Sequence, residues 1–144
     1  MNNNAKNRIM VVDDEASVLI TYRLILEQQG YIVGAFSRSS DAIRALEGEE
    51  KYDLVLCDYS LEDQHTGFEV ISAARKRDGC IPAALLTGYA TRETADEAAS
   101  RKIVVMFKPI EIEEFLATTA KMLRRNDESN QESGQKNSDS QSSV

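Results

Sequence analysis

The 144-residue chain has only two cysteines and one histidine. It also lacks any apolar run approaching the roughly 18 residues that a membrane-spanning helix needs. Cys57 and Cys80 stand far apart with no CxxC, and with His65 as the only histidine they exclude a zinc site. Cys57, inside LVLC (54–57), reads as a small buried thiol. The N-terminus, MNNNAKNR, has no apolar stretch of signal-peptide length, so the expected location is the cytoplasm. A surplus of positive charge is missing too. Residues 1–125 carry 16 basic against 20 acidic side chains, and residues 126–144 one lysine against four acids. Binding a phosphate backbone needs the opposite balance, so neither direct DNA binding nor a membrane surface is expected. There is no GxxxxGK[ST] loop and hence no P-loop nucleotide site.

What is present is an alternation of short apolar runs and amphipathic stretches. The runs at 8–12, 31–36, 53–57, 82–87 and 103–107 have strand length, and DLVLC (53–57) is apolar throughout, as a strand buried on both faces should be. Helices are predicted over 15–29, 39–47, 67–77, 91–101 and 111–124. The first places Val18, Tyr22 and Ile25 on one face with Leu19 and Leu26 beside it, and Gly30 ends it. Serines 37, 39 and 40 offer caps for the second, whose Ala42, Ile43 and Leu46 face inward. The third turns Phe68, Ile71 and Ala74 to the core. The fourth has mainly alanines, Ala95, Ala98 and Ala99, on its inner face, and the fifth has Ile112, Phe115, Leu116, Thr119, Met122 and Leu123. Five strands alternating with five helices predict the α/β class, a doubly wound parallel sheet. By analogy with other five-unit folds its strand order is flavodoxin-like, 2-1-3-4-5.

In such a sheet ligands bind at the carboxyl ends of the strands. Strand one ends in Asp13-Asp14, strand three in Asp58, strand four in Thr87 and strand five in Lys108-Pro109. Strand two, on the outside, ends in Ala35-Phe36. With strands one and three adjacent, Asp13, Asp14 and Asp58 form an acidic cluster whose charges repel. Lys108 supplies one compensating charge and a hard divalent cation two more; carboxylates, a backbone carbonyl and waters suit Mg²⁺. An ion held by few carboxylates keeps positions open for phosphate oxygens. With the Lys108 ammonium and the Thr87 hydroxyl, the site is suited to a phosphoryl group. Aspartate can accept one, and Asp58 is the candidate because the other two acids are paired for metal. Glu15 reads as a favourable charge in the first turn of the following helix.

VVDDE (11–15), LVLCD (54–58), LLTG (85–88) and FKP (107–109), in this order at these strand ends, resemble the receiver domain of response regulators, the CheY-like family of two-component signalling. The resemblance covers residues 7–125. It implies that Asp58 is the phosphoacceptor, taking phosphorus from a phosphohistidine of a sensor histidine kinase or histidine phosphotransfer protein. It implies direct Mg²⁺ ligation by Asp14, ligation by Asp13 largely through water, and further ligands in Asp58 and the backbone carbonyl of Ser60. Lys108 then pairs with phosphoryl oxygens, Thr87 swings to hydrogen-bond the phosphoryl group, and the Lys108-Pro109 bond is cis. The implied output is a change of contact with a downstream protein through helix four, strand five and helix five. The thin alanine face of helix four makes that helix easy to shift.

Some positions depart from the family. The loop after Asp58 has Glu62 where a proline is usual, and Gly67 comes one residue later than in the shortest versions. The switch position three before Lys108 is Val105 instead of an aromatic residue, while Phe107 points the other way from Lys108. Coupling through Thr87 is therefore expected to be weakened or rerouted. Tyr89, two after Thr87, is expected to hang over the site and shield an acyl phosphate. An aspartate-nucleophile phosphatase is disfavoured, because Asp58-Tyr59-Ser60 has no second aspartate to act as general acid. The other readings are a phosphorelay intermediate that passes phosphate to another histidine protein, and a phosphate-independent binding module. Residues 1–6 and the acidic, serine-rich 126–144 are expected to be disordered flanks, since 126–144 holds no large apolar residue before Val144. That composition leaves no effector domain and implies a stand-alone receiver.

Overall fold

The computed structural model describes residues 6–61 and 66–125. The most apolar runs become β1 (Arg8–Val12), β3 (Leu54–Asp58) and β4 (Ala83–Thr87), in which every residue after Arg8 is buried. Runs that are apolar on both faces belong in the middle of a sheet covered on both sides. The less buried β2 (Ile32–Phe36) and β5 (Val104–Phe107) take the two edges. All pairings are parallel and the strand order is β2-β1-β3-β4-β5, the flavodoxin-like order expected.

Strand alternation sends side chains to two separate cores. Met10, Val12, Val55, Cys57 and Leu85 meet α2 (Ser39–Leu46), α3 (Gly67–Arg77) and α4 (Arg92–Ser100) on one face. Ile9, Val11, Leu54, Leu56, Leu86 and Met106 meet α1 (Ala16–Gln28) and α5, over residues 112–125, on the other. Each element boundary falls within one residue of its predicted place. No helix among the described residues is long and apolar enough to cross a membrane. Glu62, His65 and the two flanks, residues 1–5 and 126–144, lie outside the described residues.

Two inner faces and one cap differ from expectation. On α4 only Ala98 is buried, with Thr94 half-buried; Ala95 and Ala99 are exposed. The helix meets the core along one i, i+4 line, and Ala95 and Ala99 lie about 100° further round. The contact is thinner than three alanines would make. Ile112 is exposed because it is the first residue of α5, at the start of the helix just beyond the strand ends. The α2 cap position falls on Arg38, between the serines, with its carbonyl accepting the Ala42 N–H.

Two helix ends adopt the left-handed backbone that releases a chain from a helix. After α1 the residue is Gly30, at φ 95°. After α4 it is Lys102, at φ 58°, with its N–H on the Ala99 carbonyl and the Ile103 N–H on that of Ala98. A side chain there costs roughly 1–2 kcal/mol, offset in part by the greater freedom of an unfolded glycine. Lys102→Gly is therefore expected to stabilise the protein by about 0.5–1 kcal/mol, a rise of about 2–4 °C in Tm by thermal denaturation.

Candidate functional site

The β1–β3 register pairs Val12 with Cys57, so Asp13 and Asp58 emerge side by side at the next position. The β4–β5 register pairs Thr87 with Phe107, and Lys108 follows. One carboxylate oxygen from each of Asp13, Asp14 and Asp58 lies within 4.8 Å of the others. Asp13 is 0% exposed. Its Oδ1 accepts the Glu15 N–H at 2.9 Å and its Oδ2 accepts Lys108 Nζ at 2.8 Å. Lys108 Nζ also stands 3.6 Å from Asp58 Oδ2. The five strand-end residues thus fall at one edge, and the lysine joins two of the acids. Glu15 itself occupies the N-cap position of α1, its side chain exposed and making no cap bond. Asp13 instead binds the N–H of the residue just before the helix, so it fixes the turn into α1 as well as the cluster.

Burial raises the pKa of Asp58 to about 6; Lys108 opposes the shift, the charges of Asp13 and Asp14 add to it, and the Ser60 N–H bond to the carboxylate lowers it. Burial lowers the pKa of Lys108, but its hydrogen bond to Asp13 and the charges of Asp58 and Asp13 prevail and raise it. One ammonium does not neutralise three carboxylates at this spacing. The arrangement of hard oxygens at one edge fits Mg²⁺, with Asp13, Asp14 and Asp58 as the side chains that would hold it.

Ser60 lies two residues beyond Asp58 and forms an antiparallel bridge with Thr66, closing the base of the loop. Gly67 then starts α3 against the end of β3, its N–H donating to the Tyr59 carbonyl at 2.9 Å. A Cβ there would stand 2.7 Å from the Asp58 carbonyl oxygen and 2.5 Å from Leu85 Cδ2, so the position requires glycine for close approach. The expected loop glycine is thus the first residue of the helix. The Lys108-Pro109 bond is cis, as the resemblance implies.

Thr87 is buried, and its hydroxyl serves the next loop: it donates to the Tyr89 carbonyl at 2.6 Å and accepts the Tyr89 N–H at 3.2 Å. The Tyr89 side chain is 76% exposed, so its ring is not packed over the acids as expected. The two short bonds to its backbone hold the loop while the ring stays in solvent. Val105 packs half-buried in the α4-side core, and Phe107 is 56% exposed. The helical period of α1 predicts Tyr22 only as a core residue. It stacks on Phe115 at 4.7 Å and also lines, with Ser17, Val18, Thr21 and Lys108, a groove of about 480 Å³ beside the acids. Its pKa is raised by burial, with Lys108, Asp13 and Asp58 all near enough to act on it. Its place between two helical turns and a strand end has no local sequence signal.

The sequence matches the response regulator receiver domain family over residues 9–120. An uncharacterized transcriptional regulatory protein of Bacillus subtilis, YkoG, is 34% identical over 124 residues, covering 84% of this chain and 53% of that protein. The transcriptional regulatory protein ZraR of Escherichia coli is 29% identical over 116 residues, covering 80% of this chain and 26% of ZraR. The chain thus spans about half the length, or less, of these relatives. Among solved structures, a CheY-like response regulator receiver domain protein from Methanospirillum hungatei superposes with a TM-score of 0.80 at 25% identity, covering 87% of this chain and 99% of that one. A response regulator receiver protein from Sinorhizobium medicae gives 0.75 at 26% identity, covering 84% and 97%. With its strand order, its acidic strand-end cluster and this match, the chain belongs to the response regulator receiver domain family of two-component systems.

Proposed function

We propose that this receiver is a phosphorylation switch whose acceptor is Asp58, loaded by a phosphohistidine of a sensor kinase or phosphotransfer protein. The observation that carries this reading is the convergence of Asp13, Asp14 and Asp58 within 4.8 Å, with Lys108 in reach of two of them. An Asp58 carboxylate oxygen attacks phosphorus, the P–O bond forms as the P–N bond to the donor histidine breaks, and the electron pair leaves on the imidazole. Bound Mg²⁺ supplies charge neutralisation for the phosphoryl oxygens. Lys108 pairs with another of those oxygens, and Asp13 holds Lys108 in position through the 2.8 Å bond. Catalysis is thus positioning and electrostatics, as in phosphoryl transfer generally. The Ser60 carbonyl is a further candidate ligand, two residues past the acceptor. Thr87 reaches the phosphoryl group by giving up its bonds to the Tyr89 backbone.

The output surface is the α4–β5–α5 face. Val104, Phe107 and Ile112 are exposed on β5 and α5, apolar area suited to a protein partner. The folded receiver is residues 7–125, with 1–6 and 126–144 as its flanks. The test is to incubate the full chain with Mg²⁺ and acetyl phosphate and weigh it. The expected result is a hydroxylamine-labile adduct of about 80 Da that is absent in Asp58→Asn. Wild type without an adduct in Mg²⁺ would make the phosphate-independent module the better reading.

A further inference from the structure

The Thr87 hydroxyl is engaged by the Tyr89 backbone, and the position that could follow it on β5 is Val105, not a ring. Another set of contacts leads from the acceptor to α4. Tyr59, next to Asp58, is held on both sides by backbone bonds, its N–H to the Leu86 carbonyl and its carbonyl to the Gly67 N–H. Its ring meets that of Phe68 edge-on at 5.8 Å and 83°. Phe68, on the first turn of α3, is buried. Over that same ring, 5.0 Å from its centroid, sits the guanidinium of Arg101, the C-cap residue of α4. Arg101 also pairs with Glu97 of α4 at 2.6 Å and donates to Ser72 of α3 at 3.2 Å.

The apolar hold on α4 is small, Ala98 with Thr94 beside it. Its polar attachments gather at the C-terminal end. Besides Arg101, the guanidinium of Arg75 donates to the carbonyls of Ile81, Arg101 and Lys102. These three Arg75 bonds all go to backbone carbonyls and involve no ring or acid next to Asp58. Arg101 rests on a ring that touches the acceptor's neighbour.

We infer that Tyr59, Phe68 and Arg101 relay the state of Asp58 to α4, with Arg101 either seated on the Phe68 ring or moved off it. This inference rests on the proposed phosphorylation of Asp58. A phosphoryl group on Asp58 adds negative charge and bulk at the end of β3, one residue from Tyr59. Any displacement of the Tyr59 ring is felt first by Phe68, and Arg101 is attracted only when it lies over the ring face. A partly exposed cation over a ring biases such an equilibrium by about two- to five-fold, enough to modulate a loosely held helix.

The experiment is hydrogen exchange, by mass spectrometry, of the peptide spanning α4 in the full chain, with and without Mg²⁺ and acetyl phosphate. Adduct formation is read in the same sample by intact mass. Wild type is expected to change α4 exchange at least about two-fold on phosphorylation. Arg101→Gln and Phe68→Leu should still form the adduct yet lose that change, and the double variant should lose no more than either. Glu97→Gln, which leaves Arg101 on the ring, should keep it. Variants that form the adduct and still show the wild-type change would overturn the relay. A second arm needs no phosphoryl group: Tyr59→Leu and Arg101→Gln should be coupled in their effect on basal α4 exchange, and strict additivity would also overturn it. A wild type that forms no adduct while this cycle shows coupling would remove the proposed acceptor role and leave the physical connection standing.

Discussion

Lys108→Met is expected to lower unfolding stability by about 3 kcal/mol at pH 7.5 in the absence of divalent cations. The substitution keeps the apolar stem and removes the charge. Asp13, fully buried, then keeps its bond from the Glu15 N–H but loses its partner on Oδ2. Asp58 loses the charge that most opposes its raised pKa. Removing one member of a buried pair typically costs about 3–5 kcal/mol, because the remaining charge is left without compensation. The lower end applies here, since the cluster can take up a proton on Asp58. Urea denaturation would measure the loss, and a value under about 1 kcal/mol would mean that water already screens Asp13. Mg²⁺ at about one hundred times its dissociation constant should restore about 2.7 kcal/mol, because the ion replaces the missing charge. Recovery by Mg²⁺ and none by an equal ionic strength of NaCl would separate a bound ion from general screening.

Much of this site was legible in the sequence because strand ends are legible. Apolar runs that stop at a charged residue mark both the strand and its carboxyl end. Once the strand order is fixed, Asp13, Asp14, Asp58, Thr87 and Lys108 must share one edge. Side-chain periodicity carried the buried positions of α1, α2 and α3 for the same reason, since each lies over the sheet along a broad stripe. It failed on α4, where the contact narrows to a line and Ala95 and Ala99 turn out to solvent.

The arginine contacts were not legible at all. Arg77 donates to the carbonyls of Leu46, Glu49 and Glu50 at 2.8–3.0 Å and so ties α3 to the end of α2. Arg75 does the same for the turn after α4. Their acceptors are backbone oxygens, present at every residue, so no residue type announces them. The partners of Thr87 and Asp13 were missed for a similar reason, because the Tyr89 carbonyl and the Glu15 N–H are main-chain groups that depend on the local path of a loop.

Asp58→Asn is expected to be more stable than wild type at pH 7–8 without divalent cations, by about 1–2 kcal/mol, with no difference below about pH 4. The ordinary aspartate value is 3.8 and burial raises that of folded Asp58 to about 6. Between these values the folded protein holds a proton that the unfolded chain has lost. Stability from this group is therefore present at low pH and declines as pH rises through the window, levelling off above about 6. Two pKa units correspond to about 2.7 kcal/mol, and local relaxation reduces the observed share. Asparagine has nearly the same shape and no charge to bury, so its stability should lack this decline. The difference between the two proteins, measured by urea denaturation across pH 4–8, isolates Asp58 and the groups coupled to it from the titrating groups outside the cluster. A flat difference would mean that Asp58 ionises in the folded protein as easily as in the unfolded chain. Saturating Mg²⁺ should reverse the order at pH 7.5, because wild type offers the ion a third carboxylate and the variant does not. The charge that makes the free protein less stable is the same charge that would hold the ion, so one substitution should raise stability and weaken Mg²⁺ binding together.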